Sequence, residues 1–227
     1  MSITNNLQQL RQLVNDTAQG CQRKIDDICL LAVSKSQPGH AIRAAFAAGQ
    51  RDFGENYWQE AQSKQAELQD LPIVWHFIGP IQSNKAADIA RQVQWVHSLD
   101  RVKIARLLSD NRPDKYPPLN VCLQINLDNE ASKSGISAEQ APELIECVQH
   151  LPGLRLRGLM AIPEPRQGDE AQYQSLLRLT QLRDTLNQRL NLNMDSLSMG
   201  MSDDLKPAIR AGSTLLRIGR ALFGERS

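Results

Sequence analysis

No stretch of this sequence approaches the run of about 20 apolar residues that spans a bilayer. Residues 1–6 also lack the basic start and apolar core of a secretory signal. The charges nearly cancel, since 26 Lys and Arg face 25 Asp and Glu for a formal net charge of +1. That balance argues against a broad surface for nucleic acid or anionic lipid. We therefore expect a cytoplasmic protein without a membrane or nucleic-acid partner.

Cysteine is scarce, and its four residues form no CxxC pair and no metal-ligand spacing. We interpret them as the reduced thiols of a cytoplasmic protein. His76 and His97 lie near the ends of predicted strands and, with Asp100, could suggest a metal. Strand-end histidines are more often packing or hydrogen-bonding groups, so no metal site is predicted.

The sequence has no linker rich in Pro, Gly or Ser, and strand-like and helix-like segments alternate from end to end. The first helix is expected to place Leu7, Leu10, Leu13 and Val14 on one face, and Asp100 is expected to cap a later helix. The strands are predicted at about residues 28–34, 52–54, 73–77, 94–98, 120–125, 154–159, 196–198 and 214–217. Further helices are predicted at about residues 38–49, 56–69, 83–92, 138–150 and 169–190.

Eight strands separated by helices predict an α/β fold, a single (β/α)8 TIM barrel over residues 1–227. An open doubly wound sheet is the alternative. Its glycine-rich GxGxxG turn is absent after the first strand, which favours the barrel.

Lys35 ends an apolar run, residues 30–33, that reads as a parallel strand buried on both faces. A lysine at the carboxyl end of such a strand points into the mouth of an α/β fold, where ligands bind. There it can lose part of its hydration and its charge, as a Schiff-base lysine must. A solvated strand-end lysine is the simpler interpretation of this segment taken alone.

Two later loops have the composition of a phosphate site. Residues 198–204 supply hydroxyls, a glycine and acidic helix-start residues, and residues 218–220 add backbone donors after the last strand. Barrels frequently hold a phosphate with the loops after strands 7 and 8. Each loop alone could consist of ordinary turn and capping residues. Together with Lys35 they predict a site for a phosphorylated aldehyde, either pyridoxal 5′-phosphate (PLP) or an aldolase's sugar phosphate.

Five segments resemble the pyridoxal phosphate homeostasis protein family: residues 32–35, 53–57, 76–85, 197–202 and 217–224. The resemblance covers nearly the whole chain. It implies a fold-type III PLP-binding barrel similar to the N-terminal domain of alanine racemase. It also implies that PLP is held as an internal aldimine, a Schiff base, on Lys35.

The resemblance further assigns roles to individual residues. It implies that Arg217 faces the pyridine nitrogen of PLP and that Asn56 neighbours the ring. The residues implied on the phosphate side are Ser198, Met199, Gly200, Ser202, Gly219 and Arg220. Relatives often carry a small residue in place of Arg220, so a backbone contact is expected there rather than a side-chain contact.

Arg217 also bears on activity, because a guanidinium has only donors and cannot be deprotonated in a protein. A pyridine nitrogen facing it stays unprotonated, and such a ring is a poor electron sink. Alanine racemases also use a second base, a tyrosine from a second domain. We expect no such domain, since the sequence reaches only Ser227, and Tyr57 is the one tyrosine placed near the mouth.

The function implied is therefore PLP homeostasis without robust turnover. Such a protein would hold PLP reversibly, protect it or deliver it, and influence vitamin B6 and amino-acid balance, with PLP-dependent apo-enzymes as candidate partners. An amino-acid racemase-like enzyme is the alternative. We expect a monomer, and Lys64, Lys85 and Lys133 are candidate secondary lysines for free aldehyde.

Overall fold

The computed structural model describes residues 2–128 and 134–224. Its strands are β1 (Cys29–Val33), β2 (Asp52–Glu55), β3 (Val74–Phe77), β4 (Trp95–Leu99), β5 (Leu119–Gln124), β6 (Leu154–Met160), β7 (Ser196–Ser198) and β8 (Leu215–Ile218). Its α-helices are α1 (Ile3–Gly20), α2 (Gly39–Ala47), α3 (Trp58–Glu67), α4 (Ala86–Gln92), α5 (Val102–Asp110), α6 (Ala141–Gln149), α7 (Asp169–Leu190), α8 (Leu205–Arg210) and α9 (Arg220–Phe223). Short 3₁₀ turns lie at Ile25–Asp27 and Ser83–Lys85. Within these described segments, no helix combines the length and apolarity needed to cross a bilayer.

The strands are parallel and form a closed barrel in chain order. Closure comes from β1 pairing with β8, which sets Leu31 opposite Arg217. On its other side β1 pairs with β2, which sets Val33 opposite Gly54. The loops that follow β1, β2 and β8 are therefore neighbours at one end of the barrel. The predicted (β/α)8 barrel is confirmed, and the open doubly wound sheet is excluded.

The main apolar core lies between the barrel and its helices. Side chains alternate along each strand, so every second residue faces the helical layer. Phe53 of β2 is fully buried there, and its ring centroid lies 6.2 Å from that of Trp75 in β3. A second, smaller cluster fills part of the barrel interior with Cys122, Met160 and Leu215. The interior also holds polar side chains, described below.

Two sequence predictions about the helices are wrong. Leu13 lies at the edge of the buried face of α1 with 36% of its surface exposed, and Ala18 is buried instead. Asp100 does not cap α5, because the chain is still extended at Arg101 and the helix starts one residue later than a cap at Asp100 requires. The Asp100 carboxylate pairs with the Arg101 guanidinium at 2.7 Å.

Candidate functional site

A cavity of about 630 Å³ opens where β1, β2, β7 and β8 end. Small-molecule and cofactor sites usually occupy roughly 300–1,000 Å³. The predicted site residues that line it are Lys35, Asn56, Ser202, Arg217, Gly219 and Arg220. The fold thus brings residues from both ends of the sequence to one cavity.

Lys35 lies two residues beyond β1 and reaches the cavity because side chains alternate along the extended chain. Val33 also lines the cavity, whereas Ser34 between them is fully buried and turns toward Glu55. Ser36 then adopts a left-handed φ of 61°, which ends the extended segment. The backbone on both sides of Lys35 therefore directs its side chain into the cavity.

A buried ionic cluster lies behind Lys35, between β2 and α3. The Lys64 ammonium donates to the Ser34 carbonyl oxygen at 2.6 Å and to Glu55 Oε1 at 2.8 Å. It also donates to Glu60 Oε1 at 2.6 Å, and the Ser34 hydroxyl donates to Glu55 Oε1 at 2.6 Å. Burial raises the pKa of the Glu55 carboxyl, while the Lys64 ammonium opposes that rise. The cluster holds the peptide group that joins Ser34 to Lys35.

The interpretation of Lys64 as a secondary lysine for free aldehyde is wrong. Its amine is buried and donates to three acceptors, so an aldehyde in solvent cannot reach it. Lys85 is half-buried in a 3₁₀ turn, and its reactivity stays a prediction. Lys133 lies outside the described residues.

Arg217 is a buried residue of β8 whose side chain also borders the cavity. Its Nη1 donates to the Ser198 carbonyl oxygen at 2.5 Å and to the Ser198 hydroxyl at 2.8 Å, and its Nη2 donates to the Ala161 carbonyl oxygen at 2.9 Å. Burial lowers the pKa of Arg217 to about 10, which leaves it charged at neutral pH. Since a guanidinium has five N–H donors, these three bonds leave donors for a ligand acceptor.

The loops after β7 and β8 are tied together beside the cavity. The Ser202 hydroxyl accepts from the Ala221 N–H at 3.3 Å, and the Arg220 guanidinium pairs with the Asp203 carboxylate. Because Ser202 Oγ accepts in that bond, its own proton can be donated to a ligand oxygen. The two predicted phosphate loops are therefore adjacent, and their role toward phosphate stays a prediction.

Three predicted phosphate-side residues are buried and do not line the cavity. Ser198 and Met199 are fully buried. Gly200 has a φ of 92°, and a Cβ there would lie 2.4 Å from the Cβ of Ala208. The Gly200 carbonyl oxygen accepts the Arg217 N–H at 3.0 Å. In this structure Ser198 and Gly200 accept hydrogen bonds from Arg217, and a direct contact of Ser198, Met199 or Gly200 with a ligand stays a prediction.

Asn56 lines the cavity and lies in the extended segment between β2 and α3, which begins later than predicted. Tyr57 is still extended, with φ −120° and ψ 123°, so the helix starts at Trp58 rather than near residue 56. The loop after β3 passes close by, since a Cβ at Gly79 would lie 1.9 Å from the Asn56 carbonyl oxygen. Only glycine fits at that approach, which explains a glycine inside the 76–85 motif.

Sequence reasoning missed two kinds of site residue. The ion pair of Glu55 with Lys64 could have been anticipated from the sequence, because a carboxylate that ends a buried strand needs a cation nearby. Ile78 and Ile162 also line the cavity, and nothing in their local sequence pointed to it.

His76 and His97 are hydrogen-bonding groups, as predicted. His76 Nδ1 lies 2.9 Å from His97 Nε2 inside the barrel. Over residues 2–128 and 134–224, no group of three acidic, histidine or cysteine side chains is arranged to hold a metal.

The donor set of the cavity suits a phosphorylated aldehyde with a hydrogen-bond acceptor in its ring. Lys35 supplies an amine, Ser202 supplies a hydroxyl, and Arg217 supplies a buried charged donor. PLP has all three complementary groups. A sugar phosphate would offer Arg217 hydroxyl oxygens, which donate as well as accept, whereas an unprotonated pyridine nitrogen only accepts, so the cavity fits PLP better.

The fold and site define an α/β barrel of the alanine racemase N-terminal class. The family described as "Alanine racemase, N-terminal domain" matches residues 2–227, and the chain belongs to this family. The resemblance seen in the motifs is confirmed by the relatives. A pyridoxal phosphate homeostasis protein of Pseudomonas aeruginosa is 57% identical over 99% of this chain and 96% of its own length. One of Escherichia coli K12 is 48% identical over 99% of this chain and 97% of its own length.

Solved structures agree with this assignment. PipY of Synechococcus elongatus PCC7942, with PLP bound, is 35% identical with a TM-score of 0.85, covering 98% of this chain and 100% of that one. Alanine racemase of Corynebacterium glutamicum has a TM-score of 0.70 at 15% identity, covering 98% of this chain and 60% of that enzyme. The second likeness shows the barrel fold alone.

Proposed function

We propose that this protein binds PLP reversibly and serves PLP homeostasis without robust catalytic turnover. The observation that carries the proposal is the meeting of Lys35, Ser202 and Arg217 at one cavity. These residues supply the amine, the hydroxyl and the guanidinium that a carbonyl, a phosphate and a pyridine nitrogen require. The relatives named pyridoxal phosphate homeostasis proteins and the PLP-bound PipY structure support it.

Each residue contributes a separate physical effect. Lys35 supplies the nucleophilic amine, and the ionic cluster behind it holds its backbone. Ser202 and the amides around Gly219 and Arg220 are proposed to bind the phosphate. Arg217 can only donate, so it keeps a facing ring nitrogen unprotonated. When bound, PLP supplies a reactive carbonyl and an electron-withdrawing ring, and Arg217 keeps that withdrawal weak.

A racemase-like activity finds less support in the site. Tyr57, the tyrosine expected near the mouth, is 61% exposed. It is not among the described residues that line the cavity. Incubation of the purified protein with single L-amino acids tests this alternative, and steady formation of the D-enantiomer at ordinary enzymatic rates would overturn our preference.

The wider cellular role is part of the same proposal. We propose that the protein acts in the cytoplasm as a monomer, delivers PLP to PLP-dependent apo-enzymes and influences vitamin B6 and amino-acid balance. The absence of a nucleic-acid or membrane partner rests on the balanced charge and the lack of a long apolar run.

Borohydride reduction with peptide mapping tests the binding site directly. The purified protein is incubated with PLP, its near-ultraviolet and visible spectrum is recorded, and the reduced adduct is located by mass spectrometry. We expect the PLP mass on Lys35, its loss in Lys35→Ala, and its retention in Lys103→Ala, which removes an exposed lysine. A protein that gains no PLP, or a label on another side chain, would refute the proposal.

A further inference from the structure

A chain of hydrogen bonds crosses the barrel interior from one end to the other. Asp52 Oδ1 lies 3.1 Å from His76 Nε2, and His76 Nδ1 lies 2.9 Å from His97 Nε2. His97 Nδ1 lies 2.7 Å from the Ser198 hydroxyl, which lies 2.8 Å from Arg217 Nη1. We call these five residues the interior chain.

The interior chain is buried in its middle and borders a cavity at each end. His76, His97 and Ser198 are almost completely buried, and the Trp95 ring stacks on His76 with centroids 5.6 Å apart and planes within 6°. Arg217 lines the candidate PLP cavity. Asp52 starts β2 and lines a second cavity, of about 820 Å³, at the opposite end of the barrel. TIM-barrel interiors are usually filled by layers of branched apolar residues, so a polar chain here requires its own explanation.

The donors and acceptors give the interior chain one direction. Arg217 can only donate, so Ser198 Oγ accepts from it, and the Ser198 hydroxyl proton is available to His97 Nδ1. His97 then carries its proton on Nε2 and donates to His76 Nδ1. His76 likewise carries its proton on Nε2 and donates to the Asp52 carboxylate. Both imidazoles are neutral in this arrangement, in agreement with burial, which lowers the pKa of each.

The reverse direction does not satisfy the same groups. It would need a protonated Asp52 to donate to His76 Nε2. It would also place a proton on His97 Nδ1, which would then donate to Ser198 Oγ. The Ser198 hydroxyl proton could no longer be accepted by His97 Nδ1. A carboxylate at the far end, which only accepts, therefore orients every donor between itself and Arg217.

We infer that Asp52, His76 and His97 are positioning residues that hold Arg217, through Ser198, in the orientation that faces the PLP ring. This inference rests on the proposed function, because it assigns Arg217 its ligand. The oriented Ser198 hydroxyl presents its lone pairs to Arg217 Nη1, so the guanidinium cannot rotate without losing that bond. The remaining Arg217 donors are thereby kept toward the cavity.

The tautomers of the two histidines are the first test. Long-range ¹H–¹⁵N NMR of the full-length protein, with and without PLP, distinguishes the two neutral tautomers from the charged ring. We expect His76 and His97 to be neutral at pH 7 with the proton on Nε2 in both states. A charged ring, or a proton on Nδ1 of either histidine, overturns the inference.

Variants distant from the cavity are the second test. We expect Asp52→Ala to weaken PLP binding about threefold and His97→Phe about tenfold, because the break moves closer to Arg217. Asp52→Asn keeps an oxygen acceptor for His76 and should bind PLP nearly as the wild type does. Asp195→Ala is the matched control, since Asp195 lies just before the start of β7 at the same end of the barrel but pairs with Arg157.

The PLP absorption spectrum of each variant separates positioning from stability. A loosened Arg217 should shift the absorption maximum in Asp52→Ala, while the control changes thermal stability alone. Equal PLP affinity and spectra in Asp52→Ala, His97→Phe and the wild type overturn the inference. Should His97→Phe fail to fold, Asp52→Ala at the more exposed end decides. If the wild type itself takes up no PLP, the proposed function fails, and the NMR result still decides the direction of the interior chain.

Discussion

Replacing Lys64 with methionine tests the ionic cluster behind Lys35. Methionine keeps much of the apolar stem but removes the ammonium that reaches Glu55, Glu60 and the Ser34 carbonyl oxygen. Glu55 is almost completely buried, and its Oε2 atom already has no hydrogen-bond partner among the described residues. The substitution therefore leaves a buried carboxylate without its cation.

The expected loss of stability is large. Removing one partner of a buried ion pair costs roughly 3–5 kcal/mol. For a domain of this size, 1 kcal/mol lowers Tm by roughly 2–4 °C, so we expect Tm to fall by about 6–20 °C. PLP uptake should fall as well, because the Ser34 carbonyl belongs to the peptide group that holds Lys35.

The pH dependence of this loss has a definite sign. Burial already raises the pKa of Glu55, and removing the Lys64 ammonium raises it further. A carboxyl whose pKa is higher in the folded state than in the unfolded state favours folding at low pH, and this contribution is lost as pH rises through the folded pKa. The deficit of Lys64→Met should therefore be greatest at neutral pH. It should shrink as the pH falls toward the ordinary pKa of glutamic acid, about 4.3.

Urea unfolding at two pH values measures the effect. Adding Glu55→Gln to Lys64→Met should recover much of the lost free energy, since the carboxylate is then neutral. Arg43→Met is the matched control, because Arg43 forms an ion pair with Asp70 that is exposed to solvent, and such pairs contribute little to stability. If Lys64→Met loses no more than this control, or the double variant recovers nothing, the cluster does not hold the structure as argued.

Two further predictions concern buried positions. Gly200→Ala should lower the free energy of unfolding by roughly 1–3 kcal/mol in urea, because φ is 92° and the new methyl group meets Ala208. Unchanged stability would contradict this prediction. Cys122 should react with iodoacetamide far more slowly than the half-buried Cys21 and Cys147, because burial raises the pKa of the Cys122 thiol to about 12. Mass spectrometry of the peptides measures the three rates, and equal rates would contradict this prediction.

Local signals made several elements predictable. The predicted helix over 169–190 and strand over 196–198 have the bounds observed for α7 and β7. Gly168 precedes α7 with a φ of 84°, and Asn191 ends it in the left-handed conformation. Such residues limit a helix through their own backbone preferences, which a sequence displays directly. The position of Lys35 at the end of the first strand was equally predictable, because an apolar strand ending in lysine is a local pattern.

Other features depended on packing. Whether Leu13 faces the core depends on how α1 lies against the barrel, and the periodicity alone did not separate it from Ala18. Lys64 looked like an available amine because its partner Glu55 lies nine residues away on a different element. A pair across a strand and a helix forms only when the two pack together.

Local sequence patterns were enough to predict the alternation that closes into a barrel, the lysine at the end of β1 and the composition of the two loops proposed for phosphate. Each of these depends on neighbours in the chain. The interior chain, in contrast, depends on the packing of the whole barrel. Its hydrogen bonds join His76 to His97 across 21 residues and His97 to Ser198 across 101 residues. A hydrogen bond needs its partners within about 3 Å. The order of the strands and the inward orientation of these side chains bring the partners that close, and no single segment of the sequence shows either one.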